Sequence, residues 1–75
     1  MNINDEVPLS YLLALAKRFD VEFYSTRYKV EGYDQIKLIF GNKVTWIMYG
    51  NGVNFHDYNE ISIRLAATYP EKVIF

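Results

Sequence analysis

Residues 35–49 read QIKLIFGNKVTWIMY, two apolar-rich runs from Gln35 to Phe40 and from Lys43 to Tyr49 on either side of the pair Gly41-Asn42. β-Branched and aromatic residues suit a pleated surface, and Gly-Asn is a recognised two-residue hairpin connection. The stretch therefore predicts two antiparallel strands joined by a tight turn. The register of that hairpin decides which side chains share a face, because a one-residue slip moves a whole strand's set to the opposite side.

Two registers are open. With a Gly41-Asn42 loop, Phe40 faces Lys43; one face then carries Ile36, Leu38, Phe40, Ile47 and Tyr49, and the other Ile39, Val44, Trp46 and Met48. With Lys43 drawn into the loop, Phe40 faces Val44. Ile36, Leu38, Phe40, Val44, Trp46 and Met48 then gather on one face, leaving Ile39, Ile47 and Tyr49 opposite, beside Lys37 and Thr45. The second register sorts apolar from polar better, but Gly-Asn-Lys lacks the terminal glycine that three-residue hairpins prefer. In either register at least three large apolar residues occupy the second face.

Outward from the hairpin, Val21 to Val30 is rich in β-branched and aromatic residues and reads as a preceding strand. Its alternation breaks near Ser25 and Thr26, where a bulge is expected, and Glu31, Gly32 and Tyr33 form a turn. Gly50, Asn51 and Gly52 make a second tight turn, after which Val53 to Phe55 pairs briefly. Upstream, Leu9, Leu12, Leu13, Ala16 and Phe19 recur at helical spacing, with Lys17 and Arg18 near the end that favours cations. Asp5 or Asn4 is the expected cap of this helix, with Glu6 and Pro8 in its first turn. Downstream, Asp57 followed by Glu60 resembles a capping box opening a helix that runs to Tyr69, where Pro70 stops it. Glu71 to Phe75 then reads as a last short strand.

The order helix, three or four strands, helix, strand predicts a small two-layer α+β sandwich. It is an antiparallel meander of three to five strands with two helices, forming one domain over residues 1–75. A chain of 75 residues has room for one core only.

Composition narrows the function classes. Apolar residues are 51% and charged residues 23% of the chain, the balance of a folded globular protein. Eight Lys and Arg against nine Asp and Glu give a net charge of −1, so no global field draws the protein onto nucleic acid or anionic lipid. There are no cysteines, which removes disulfides, thiolate metal sites and cysteine nucleophiles together. The polar, acidic start from Met1 to Glu6 differs from a secretory signal, and no run reaches membrane-spanning length; the expected location is cytoplasmic. Ile, Tyr, Asn and Lys, all with AT-rich codons, supply a third of the residues. This points to a low-GC bacterium, or a phage or mobile element within one.

The motifs of catalysis and cofactor binding are missing. His56 beside Asp57 suggests a proton-transfer pair, but the Asp is better used as a helix cap, and neighbours at a cap do not aim at one another. Gly50-x-Gly52 lacks the third glycine and the helix of a dinucleotide site, and no Gly-Lys-Ser/Thr phosphate loop occurs. Ser10, Ser25 and Ser62 have no base or glycine elbow nearby. The acidic residues are too scattered for paired-carboxylate chemistry or a calcium loop. No catalytic residue, cofactor or metal is expected, and the chain reads as a non-enzyme.

The remaining candidate is a surface. If both helices cover one sheet face, the second face is left partly bare. A contiguous apolar patch of that kind marks an interaction site. Ile39, Trp46, Ile47 and Tyr49 are the expected partner-binding residues of a protein-binding module, for example a small inhibitor or adaptor of a larger protein, or a homodimer. The competing reading divides the helices between the faces, or curls the first strand over the second face, and makes the patch ordinary core. A nucleic-acid alternative rests on Tyr24, Arg27, Tyr28, Lys29, Tyr33 and Lys37, since aromatic and cationic groups interleaved on a sheet stack bases and contact phosphates. A third possibility is a structural subunit of a larger assembly.

Overall fold

Phe40 pairs with Lys43 across the Gly41-Asn42 turn in the computed structural model, which describes residues 5–25 and 31–73. Both turn residues have left-handed backbone, Gly41 at φ 59° and Asn42 at φ 61°. A type I′ turn requires this, and Gly and Asn tolerate it best. The turn thus selects the first of the two registers. Strands β3 (Asp34–Phe40) and β4 (Lys43–Tyr49) place Ile36, Leu38, Phe40, Ile47 and Tyr49 on one face. Lys43 and Thr45 share that face, and Lys43 is accommodated because it sits exposed at the strand end with its ammonium in water.

Among the described residues, five antiparallel strands are ordered β1-β5-β4-β3-β2, with β1 at Glu6–Val7, β2 at Glu22–Ser25 and β5 at Val53–Asn54. The turn at Glu31 and Gly32 has positive φ at both residues, 53° and 84°, as the glycine leads one to expect. Helix α1 (Leu9–Arg18) contributes Leu12 and Ala16 to the core, and helix α2 (Phe55–Thr68) contributes Ile61 and Leu65. They pack on Ile36, Leu38, Phe40 and Ile47, so both helices cover the same side of the sheet. The shortest dimension of the Cα trace, 17 Å, fits one sheet and one layer of helices. This is a two-layer α+β sandwich, and the division of the helices between two faces is not realised.

Helix α1 ends in a Schellman motif. Val21 N–H donates to the Ala16 carbonyl at 2.9 Å and Asp20 N–H to that of Lys17 at 3.1 Å, with Asp20 in the left-handed region at φ 57°. The motif turns the chain directly into β2 and buries Phe19 and Val21 under α1.

Several local expectations are corrected. Asp5 does not cap α1 and Glu6 is not in its first turn: Pro8 occupies the N-cap position without a side-chain cap, and Glu6 lies in β1. Pairing of Glu6 with Asn54 and Val7 with Val53 takes those residues into the sheet, and Pro8 favours extended backbone at Val7. Asp57 is not the cap of α2. Asn54 is, its side-chain oxygen accepting the His56 N–H at 2.9 Å, while Asp57 lies in the first turn, where a negative charge suits the helix dipole. Glu71 and Lys72 are not strand but part of a 3-10 turn, Pro70–Lys72, for which proline is preset. Its Lys72 ammonium donates to the Phe19 carbonyl at 3.0 Å. Of the bulge expected near Ser25 and Thr26, Ser25 pairs in regular register with Ile36; Thr26 and the rest of the strand expected to Val30, with Asn4, Ile74 and Phe75, lie outside the described residues.

Candidate binding face on the open side of the sheet

Strand alternation sends Tyr24, Lys37, Ile39, Val44, Trp46 and Met48 away from the helices. Four of these are large and about half exposed: Tyr24 51%, Val44 54%, Trp46 51% and Met48 45%. Scattered apolar residues at such exposure need no explanation, but these lie on three adjacent strands and form one surface. Ile39, paired with Val44 and half-buried, fills the patch between β2 and β4.

The centre of the face is a cross-strand row. Tyr24 pairs with Lys37 and Lys37 with Trp46, so an aromatic ring, an ammonium and a second aromatic ring stand side by side on β2, β3 and β4. The Lys37 Nζ is 5.2 Å from the centroid of the Tyr24 ring and 5.7 Å from that of Trp46. Both distances are within the reach of a cation–π contact. No carboxylate among the described residues forms an ion pair with this ammonium. At the rim, the Tyr24 hydroxyl donates to the Glu22 carboxylate at 3.1 Å. That hydrogen bond and the negative charge beside it push the Tyr24 phenol above its ordinary range, so the ring stays neutral.

The four residues expected to bind a partner are not brought together. Ile39 and Trp46 are on the open face; Ile47 is buried beneath the helices and Tyr49 packs half-buried on the same core side. Val44 and Met48 take their places. The Gly41-Asn42 register groups Ile39, Val44, Trp46 and Met48, so the signal lay in the turn chemistry. Of the nucleic-acid set, Tyr24 and Lys37 are on the open face, and Tyr33 is exposed just before β3. Arg27, Tyr28 and Lys29 lie outside the described residues.

Other features are less organised. His56 faces Glu60, not Asp57, with 3.6 Å between Nε2 and Oε1 and both side chains exposed, a surface pair of little energetic weight. A shallow cleft of about 390 Å³ beside the open face is lined by residues that include Glu6, Tyr33, Met48 and Asp57. Among the described residues no three His, Asp or Glu side chains cluster as metal ligands would, and no helix is long and apolar enough to cross a membrane. No protein family, curated protein or solved structure matches the chain.

Proposed function

We propose that this protein is a binding module that engages another protein through the open face of its sheet, in the manner of a small inhibitor or adaptor. The supporting observation is the half-exposed surface of Val44, Trp46 and Met48, continuous with Tyr24 across Lys37, on a sheet whose other face packs against both helices. An antiparallel sheet with one solvated face normally alternates apolar-in with polar-out, and this one departs from that pattern. Trp and Tyr are the residue types that most often anchor protein interfaces.

The row Tyr24–Lys37–Trp46 also favours a second reading, a single-strand nucleic-acid platform on which bases stack over the rings and the ammonium meets a phosphate. The net charge of −1 and the Glu22 carboxylate at the rim count against it.

The test is to select peptides from a displayed random library on the folded protein and map the bound peptide by amide chemical shifts. Shifts centred on residues 37, 39 and 44–48 support the reading; shifts confined to α1 and α2 overturn it. Quenching of Trp46 fluorescence by oligothymidylate, weakened by salt, moves the assignment to nucleic acid.

A further inference from the structure

Resting on the protein-binding reading, we infer that the occupant of this face is a protein segment that sets an acidic side chain, flanked by apolar ones, over Lys37. Lys37 occupies the middle strand of the three that build the open face, and it is the cation at the centre of the patch. Its ammonium rests against two rings, not against a carboxylate, so it is oriented and partly stripped of water while its charge remains uncompensated by any ion pair among the described residues. Covering the apolar surround with a partner removes more water. A cation so covered is left at a cost unless the partner supplies an anion. The Glu22 carboxylate keeps its charge while accepting from the Tyr24 hydroxyl, but it stands on the edge strand opposite Ile39, so it disfavours a run of anions across the face more than a single acid set over Lys37.

The same placement decides between occupants. In a second copy packed face to face about a two-fold axis at Lys37, the centre of the row, the two ammonium groups meet, a like-charge contact. A nucleic-acid strand carries one phosphate per nucleotide and gains affinity from several cations in register, whereas the described part of this face presents one cation with a carboxylate at its rim. A single acid among apolar side chains complements what is present.

Peptides selected from a displayed random library on the parent protein are expected to carry Asp or Glu between apolar residues. They should bind a folded Lys37→Glu variant about 10-fold more weakly, and selection on that variant should enrich Lys or Arg instead. Thermal unfolding of Lys37→Glu near the parent midpoint establishes that the variant is folded. Peptides that depend on Trp46 but lack acidic residues and bind Lys37→Glu as tightly overturn the charge inference and leave the protein-binding face standing. Peptides indifferent to Trp46→Ala overturn both. A concentration-dependent dimer abolished by Trp46→Ala, or salt-sensitive oligothymidylate binding that needs Lys37, replaces the acidic segment with a second copy or a nucleic acid.

Discussion

Lys37 and Trp46 are direct cross-strand partners on β3 and β4, and the ammonium of the first lies 5.7 Å from the ring centroid of the second on the side of the sheet away from the helices. Directly opposed side chains are the unit of interaction between strands. Here the pair is spent on an outward surface, while the neighbouring pair Ile36 and Ile47 closes the core on the inward one. The two pairs are adjacent in sequence and opposite in role, and they make different demands on stability.

Trp46→Ala is expected to lower unfolding free energy by about 1–2 kcal/mol, less than a core tryptophan would, since half of the residue is already in water. Ile36→Ala removes a fully buried side chain between the helices and the sheet and should cost about 3 kcal/mol. Urea unfolding of the two variants measures the contrast. Similar losses would mean that the Trp46 face is covered in solution.

Gly52 is expected to tolerate no side chain. A Cβ there would lie 2.6 Å from the Val7 carbonyl oxygen and 3.2 Å from the Glu6 carboxylate, so Gly52→Ala must push β1 away from β5. The expected cost is about 2 kcal/mol, by analogy with other overpacked sites, read as a lower melting temperature. Hydrogen exchange should show the loss concentrated at residues 6–7 and 53–55.

The two candidate caps of α2 separate by substitution. Asn54→Ala removes the acceptor for the His56 N–H and should destabilise by about 1 kcal/mol. Asp57→Ala removes only a favourable charge in the first turn and should cost about half as much or less at moderate salt. Thermal unfolding monitored by circular dichroism distinguishes them.

The readable part of this fold was its local chemistry. The Gly41-Asn42 turn, the apolar stripes of both helices and the stop at Pro70 are each signalled within a few residues. What depends on distant partners was not readable. A two-residue strand at Glu6–Val7 has no periodicity of its own and exists because β5 offers it a ladder. The cap at Asn54 was obscured by the stronger-looking Asp57/Glu60 spacing, and the 3-10 turn after Pro70 by the β-rich composition of the tail. At the site, which residues share the outward face hangs on the hairpin register: Ile39 and Trp46 share it only with the two-residue turn, and Ile47 and Tyr49 face the helices because turn geometry prevails over polarity sorting at Lys43 and Thr45.

The most direct measurement is the dissociation constant of folded Trp46→Ala for peptides selected on the parent protein. Binding through the open sheet face predicts a weakening of about 10-fold or more with the unfolding transition close to that of the parent. Unchanged affinity in the folded variant would contradict the assignment of that face as the binding surface.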